Sequence, residues 1–220
     1  MKKLKGRGTH QRVIAKVYDK IRNTMIAVDI EATGLDPRVH SILSIGALDF
    51  NNPENQFYIE CQAFEGAHFN PEALEIVGLS KEEATDNTKQ TEGQVIAQFL
   101  TWAEGIEDQT LLGQVVFQDR LYIKHACERA GLNFPFAHHV VDTHALAYMH
   151  FIKHGREIPM KNRHSGLNIE TVSQYLGMPP EPEPHNALTG ALYHAEMAHR
   201  LLYEKPLLEE FKEYEVPSFT

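Results

Sequence analysis

A pair of carboxylates near the start of the chain has the spacing of a cation site. Asp29 and Glu31 follow the apolar run 25–28, whose pattern predicts a buried strand that ends in a turn at Gly34. Because alternate side chains of a strand share a face, the two carboxylates should lie about 7 Å apart on one face. Two anions placed there repel each other, and a divalent cation would relieve that repulsion. The alternative is a solvated strand end that carries both acids without a cation.

The strand and helix signals predict an α/β fold with a mixed five-stranded sheet. The segments 41–50 and 56–60 are joined by a short Asn/Pro-rich turn, so they should form an antiparallel meander with the first strand. The segments 110–113 and 140–143 alternate with helical patterns, which is typical of parallel βαβ units. Open α/β sheets of this kind hold their ligands at the carboxyl ends of the strands.

A central domain from 25 to 203 is flanked by two charged segments. Residues 1–24 carry eight Lys or Arg and one acid, which predicts either a solvated helix or an arm that contacts phosphates. Residues 204–220 form an acidic tail that should be peripheral. Within the domain, the polar and basic stretch 153–165 is either a solvated connection or a lid that faces the substrate.

The composition is that of a water-soluble globular protein. The 220 residues, 42% of them hydrophobic, suffice for one large domain with a full core. The net charge of -9 argues against a protein that coats nucleic acid with a broad basic face, but not against an enzyme that grips a chain end through metals. No apolar run approaches the roughly 20 residues that span a bilayer, and no secretion signal is apparent. Because the only cysteines are Cys61 and Cys127, we expect a reduced, cytoplasmic location.

Three segments of the central domain carry chemistry together. They are Asp29-x-Glu31, the stretch from Gly113 to Asp119, and Pro184-His185-Asn186-Ala187. In order and context, from about Met25 to Tyr203, they resemble the three motifs of the DEDD 3′ to 5′ exonuclease superfamily, histidine branch, which includes ribonuclease T. The resemblance implies a ribonuclease-H-like fold. The second motif keeps the family spacing but has Val115 and Gln118 where the family has Asn and Phe.

The third motif lacks a residue that the resemblance leads us to expect. The family has an Asp five residues after the histidine as its fourth carboxylate, and this position is Gly190 here. His194 lies four residues further along on the same helical face, so its neutral imidazole could reach back over the glycine as a replacement ligand. The alternative is that a water molecule fills that place and that His194 is an ordinary helix-surface residue.

The resemblance also implies a mechanism. Asp29, Glu31 and Asp119 would hold two divalent cations, Mg²⁺ or Mn²⁺, about 3.5 to 4 Å apart. His185 would accept the proton of the attacking water. Taken alone, Asp119 could equally be an ordinary acid at the start of a helix.

The resemblance places substrate contacts just beyond the first motif. Leu35 would wedge against the terminal bases, while Thr33 and Gly34 would offer backbone N–H groups to the 3′ end. The alternative for Leu35 is packing in the core or the turn. Three aromatic residues have the chemistry to stack on single-stranded bases: Phe64, Phe69 and Tyr148.

These residues predict a metal-dependent 3′ to 5′ exonuclease that releases nucleoside monophosphates from single-stranded DNA or RNA. Its partners would be single-stranded 3′ ends and no membrane, with a homodimer or a larger nucleic-acid machine left open. Because of Gly190, a second hypothesis is an inactive relative that binds nucleic-acid ends without cutting them. A third is an unrelated phosphoesterase of small diesters. A zinc site is not expected at His150 and His154, since no Glu lies between them as in metalloproteases, and solvated histidines are expected instead.

Overall fold

The computed structural model describes residues 25–219, so the predicted basic extension 1–24 lies outside the described residues. The strands are β1 (Ile26–Ala32), β2 (Ile42–Asp49), β3 (Asn52–Gln62), β4 (Gln90–Thr91), β5 (Leu111–Gly113), β6 (Val140–Asp142), β7 (Met160–Lys161) and β8 (His164–Ser165). The helices are α1 (Pro71–Val77), α2 (Lys81–Ala84), α3 (Glu92–Ala103), α4 (Phe117–Ala130), α5 (Thr143–Lys153), α6 (Ile169–Tyr175) and α7 (Ala187–Tyr203), followed by a 3₁₀ turn at Glu209–Phe211.

The main sheet has the strand order β4-β3-β2-β1-β5-β6. Strands β1, β2 and β3 form an antiparallel meander, and β5 and β6 run parallel to β1. The predicted α/β fold of ribonuclease-H-like type is therefore confirmed, although the sheet has six strands rather than five. The additional strand is β4, which pairs with the end of β3 over two residues and is too short to leave a hydrophobic period in the sequence.

Alternation along β1 decides what each face of the sheet meets. Ile26 and Val28 are fully buried against the cluster that contains α3 and α4, whereas Ala27 faces the cluster that contains α7. Asp29 and Glu31 continue the face of Ala27, so both carboxylates point toward α7. The start of α7 lies very close to the sheet, because a Cβ at Gly46 of β2 would be 2.1 Å from the carbonyl carbon of Ala187.

The predicted peripheral position of the tail from 204 onward is wrong. Leu208, Phe211 and Phe219 are at most 5% exposed and join the hydrophobic cluster beneath α7. The reason lies in a fully buried ion pair, in which Arg200 Nε donates to Glu196 Oε1 at 2.6 Å. Both partners also hydrogen-bond the backbone of the tail, as when Arg200 donates to the carbonyl of Phe211 at 2.8 Å. A buried pair is stable only when its remaining donors and acceptors are satisfied, and the tail satisfies them.

Between residues 25 and 219, we find no helix with the length and apolarity that a bilayer crossing requires.

Candidate active site

Three of the predicted metal ligands come together where β1 ends. Asp29 and Glu31 lie on β1, and Asp119 lies in the first turn of α4, where it is 8% exposed. Their charges act on one another: Asp29 acts on both Glu31 and Asp119, and Glu31 acts on Asp119. The Ile30 N–H lies beside the carboxylates of Asp29 and Asp119 and favours their charged forms. The alternative of a solvated strand end is excluded by the burial of Glu31, which is 9% exposed.

This concentration of negative charge is not balanced within the described residues. Burial raises the pKa of Asp29 to about 7, and the charge of Glu181 adds to the rise. Burial and the charge of Asp29 raise the pKa of Glu31 to about 8. The same causes hold the pKa of Asp119 well above its usual value. Carboxylates in this state favour either protons or cations, and oxygen ligands suit Mg²⁺ and Mn²⁺.

Gly190 lies directly over this cluster. A Cβ at this position of α7 would be 2.3 Å from Asp29 Oδ2 and 2.7 Å from Asp29 Cγ. The carboxylate of Asp29 thus occupies the space in which a side chain at 190 would begin. With Asp29 in this position, a side chain at 190 therefore requires the carboxylate of Asp29 to move.

A fourth carboxylate reaches the cluster from another part of the chain. Glu181 lies in the Pro-rich segment before α7, and its charge acts on both Asp29 and Glu31. Its own pKa is raised by burial, while the imidazoles of His185 and His194 oppose the rise. Glu181 was not predicted from the sequence, because it lies in the Pro-rich stretch 179–184, outside the three motifs. The available signal was a pair of acids in that stretch only a few residues before the motif histidine.

The predicted replacement ligand, His194, is fixed deeper in the fold. It is 1% exposed, and its Nδ1 lies 3.1 Å from the carbonyl oxygen of Val28, so Nδ1–H donates and Nε2 keeps its lone pair. Burial lowers the pKa of His194, which keeps the ring neutral. Among the described residues, Nε2 has no hydrogen-bond partner. The reading of His194 as a helix-surface residue is therefore wrong, and it stays a candidate ligand.

His185 lies just before α7, and its backbone N–H donates to the carbonyl oxygen of Ile76 at 3.0 Å. Its imidazole is close enough to Glu31 and Glu181 to act on their charges. His185 and Glu181 both line a groove of about 1170 Å³ that runs past the ends of β5 and β6. Lys161 and Ser165, from the stretch 153–165 that was predicted as a solvated connection or a lid, line the same groove. The imidazole and one of the four acids, Glu181, thus line a groove that can admit a polymer.

Exposed apolar side chains border the acids. Leu35 is 80% exposed, which contradicts the alternative that it packs in the core or the turn. Val115 and Phe117 at the start of α4 are 56% and 54% exposed. Gln118 donates to the carbonyl of Leu35, so these residues belong to one rim. Exposed apolar and aromatic groups suit stacking on unpaired bases.

The backbone N–H groups of Thr33 and Gly34 were both predicted to contact a 3′ end, and the structure treats the two residues differently. The prediction that Thr33 offers its N–H to a 3′ end is wrong, because that N–H donates to the carbonyl of Ser41 at 2.9 Å and the residue is fully buried. Gly34 packs against the imidazole of His40, where a Cβ would be 2.3 Å away, and its carbonyl accepts from Tyr122 Oη. The N–H of Gly34 stays a predicted contact.

The aromatic residues predicted to stack are less suitable than Phe117. Phe64 is covered by the Arg129 guanidinium at 4.3 Å, and Lys81 lies 5.0 Å from the ring of Phe69. Tyr148 is 38% exposed and lies against His144. Phe117 was not predicted to stack, because Asp119 was the residue of the second motif that received a role.

The raised pKa values predict how metal-free protein responds to pH. Because the folded state holds protons on Asp29 and Glu31 that the unfolded chain has already released, stability should fall as the pH rises from 6 to 8.5. We expect the Tm to fall by about 5 °C or more over this range in EDTA, and added Mg²⁺ to remove most of the fall. Thermal melts should show a flatter profile for the Asp29→Asn/Glu31→Gln double variant. An equal slope in both proteins would contradict the assignment.

The backbone at Val115 predicts a stabilising substitution. Its φ of 55° lies in the left-handed region, which is strained for a β-branched residue. Asn, the residue of the family motif, tolerates this region. Val115→Asn should therefore raise the free energy of unfolding by about 1 kcal/mol in urea titrations, whereas Val115→Ala should gain less. A loss of stability in Val115→Asn would show that packing of the valine outweighs the strain.

Acids that converge at the end of β1 in a ribonuclease-H-like sheet are the arrangement that the resemblance to exonucleases leads us to expect. The family model RNase_T, described as Exonuclease, matches residues 26–197. E. coli Exonuclease I in complex with a 5cy-dT13 oligonucleotide matches with a TM-score of 0.64 at 16% identity, over 82% of this chain and 41% of that chain. The nuclease domain of 3′hExo, a DEDDh family member bound to rAMP, matches with a TM-score of 0.63 at 19% identity, over 90% of this chain and 98% of that chain. The comparison with curated proteins gave no match.

The chain belongs to the RNase_T exonuclease family. It spans about two fifths of the Exonuclease I chains that it matches.

Proposed function

We propose that the protein is a metal-dependent 3′ to 5′ exonuclease that hydrolyses single-stranded DNA or RNA and releases nucleoside monophosphates. The observation that supports this most directly is the convergence of Asp29, Glu31, Asp119 and Glu181 beside His185, with Glu181 and His185 lining the groove. Family membership supports nuclease chemistry. The direction of degradation, the substrate and a cytoplasmic location are part of the proposal.

Four carboxylates would hold the cations, with Glu181 in the role that the family gives to a carboxylate at position 190. The fit rests on the burial of the four carboxylates, which raises the pKa of each, and on the charges that Asp29, Glu31 and Asp119 feel from neighbouring acids. The oxygen-only set favours Mg²⁺ or Mn²⁺. When bound, such ions activate water and neutralise charge that develops on the phosphate.

Other residues of the chain would supply the general base and the contacts to the substrate. His185, which faces Glu31 and Glu181, would accept the proton of the attacking water. Leu35 and Phe117 on the rim would hold the terminal bases by apolar contact and stacking. The groove would guide the rest of the strand away from the acids.

The test is degradation of 5′-labelled single-stranded DNA and RNA with Mg²⁺ or Mn²⁺. We expect a ladder that shortens from the 3′ end, stops in EDTA and is abolished by Asp119→Asn. A 3′-phosphate on the substrate should slow the reaction, because the hydroxyl end is blocked. Cleavage of small diesters without any preference for polymer ends would support the unrelated phosphoesterase instead.

The rival hypothesis is an inactive protein that binds ends without cutting, and it rests on Gly190. It predicts that the parent protein binds ends without turnover and that the Gly190→Asp variant gains activity. The structure disfavours the second expectation, since a Cβ at 190 would displace Asp29. EDTA-sensitive turnover by the intact protein, lost in His185→Ala, would eliminate this rival.

A further inference from the structure

A second cluster of metal-ligand residues lies at the far ends of α5 and α7. His150 lies in the last turn of α5, His154 directly follows that helix, and Glu204 directly follows α7. One ligand atom from each residue lies within 4.8 Å of the others. His154 Nε2 is 3.9 Å from Glu204 Oε1, and the two imidazole centroids are 4.4 Å apart. Gly190 and Glu204 are 14 positions apart on α7, so the cluster is about 20 Å from the catalytic acids.

The expectation that these histidines are solvated is wrong. His150 is 5% exposed, and the side chain of His154 is 14% exposed. The tail and α6 cause this burial: the ring of Phe219 lies 4.6 Å from that of His150, and the ring of Tyr175 lies 5.7 Å from it. The sequence could not show this cover, because it is brought by a segment far away along the chain.

In both rings Nδ1 has a hydrogen-bond partner and Nε2 has none among the described residues. His154 Nδ1 lies 2.6 Å from the carbonyl oxygen of Phe219, which can only accept, so Nδ1 carries the proton and Nε2 has a lone pair. His150 Nδ1 is 3.0 Å from Tyr175 Oη, a hydroxyl that can accept from the ring. Within residues 25–219, both Nε2 atoms are buried without a hydrogen-bond partner. Metal-binding histidines typically have this arrangement, with the second nitrogen held by a carbonyl or hydroxyl.

Leaving two buried ring nitrogens unpaired is costly, so the arrangement calls for a ligand. Burial, with the charges of His154 and Lys153, lowers the pKa of His150, which favours the neutral ring. Two neutral imidazoles and one carboxylate are a ligand set for Zn²⁺ and similar ions, unlike the oxygen set of the catalytic acids.

We propose that His150 Nε2, His154 Nε2 and the Glu204 carboxylate bind one first-row transition-metal ion, for which Zn²⁺ fits best. Tetrahedral zinc needs ligand atoms about 3.3 to 3.5 Å apart. The cluster therefore has to contract slightly, and Glu204, whose side chain is 50% exposed, is free to turn inward. The ion would tie the end of α5 to the end of α7 beneath the tail. This proposal does not depend on the nuclease activity.

Cobalt binding to the full chain tests the site. The Asp29→Asn/Asp119→Asn background removes ligands of the catalytic cluster, and Co²⁺ replaces zinc because its visible bands report tetrahedral nitrogen and oxygen ligation. We expect one Co²⁺ per chain, displaced by Zn²⁺ but not by excess Mg²⁺. Adding Zn²⁺ should raise the Tm by several degrees. Absence of a one-to-one Co²⁺ complex in this background would overturn the proposal.

Variants assign the ligands. His150→Gln/His154→Gln should abolish the cobalt bands and the Zn²⁺-dependent rise in Tm, whereas His138→Gln/His139→Gln, a matched pair of exposed histidines, should keep both. In case the buried pair impairs folding, Glu204→Gln provides a milder change that should weaken Zn²⁺ binding at least about tenfold. The exposed acid Glu209 supplies its control as Glu209→Gln. If Zn²⁺ binding were unchanged both in Glu204→Gln and in His150→Gln/His154→Gln, the ion would lie elsewhere.

Discussion

Replacing Glu181 with Gln is expected to weaken binding of Mg²⁺ or Mn²⁺ and to slow hydrolysis by about 100-fold or more. Loss of a group that merely orients a metal ligand costs 10- to 100-fold in affinity or activity, and removal of a ligand should cost at least as much. The charge of Glu181 acts on Asp29 and Glu31, so it would belong to the set that we propose to hold the cations. Gln keeps the shape of the side chain and removes only the charge.

Glu183→Gln is the matched control for this change. Glu183 lies two residues away in the same Pro-rich segment and lines the same groove, but its side chain is exposed. The Glu183→Gln variant should bind Mn²⁺ and degrade single strands as the parent does. Mn²⁺ titrations followed by calorimetry, with initial rates on a labelled oligonucleotide, give both readouts. If Glu181→Gln behaved like Glu183→Gln while Asp119→Asn were inactive, the role of Glu181 would be disproved and the nuclease proposal would stand.

Sequence patterns predicted the frame of the site well because that frame follows from local rules. The alternation along β1 places Asp29 and Glu31 on one face, and the strand and helix signals give the mixed sheet. These two predictions needed only the residues within one element and its neighbours. Asp119 was different, because its role came from the resemblance of the second motif to the exonuclease family.

The parts that were missed depend on contacts between distant segments. Glu181 reaches the acids from a stretch without regular structure, where no periodicity tells which way a side chain points. The N–H of Thr33 is consumed by Ser41 across a turn, and His150 is buried by a tail 69 residues away. In each case local sequence gives the residue type but not the partner.

Gly190 shows how a departure from a family motif can be interpreted in two opposite ways. As sequence, it marks the loss of a fourth carboxylate and suggests an inactive protein. In the structure, it is the position at which α7 admits the carboxylate of Asp29, because a Cβ there would be 2.3 Å from Oδ2. With Glu181 close by, the cluster keeps four carboxylates, three of them from the matched motifs. The missing Asp therefore argues for a rearranged site more than for a lost one.

The corresponding experiment is Gly190→Ala, which we expect to reduce hydrolysis by about 100-fold or more without unfolding the protein. The added methyl group forces Asp29 to move by about 1 Å, and misplacement on this scale can cost 100-fold. Ala favours the helix over Gly by about 1 kcal/mol, so thermal melts should show little loss of stability. Thr189→Ala, one position earlier on α7, should retain activity.

Gly190→Asp separates the two interpretations of this position, because the end-binding hypothesis expects it to create activity. We expect it to be inactive and to bind Mn²⁺ less tightly than the parent, since the new side chain starts where Asp29 already lies. Rates and Mn²⁺ affinities for the parent, Gly190→Ala and Gly190→Asp should therefore fall in that order. Higher activity in Gly190→Asp than in the parent would mean that Asp29 can yield its place, and that the carboxylate absent from α7 is one the site still lacks.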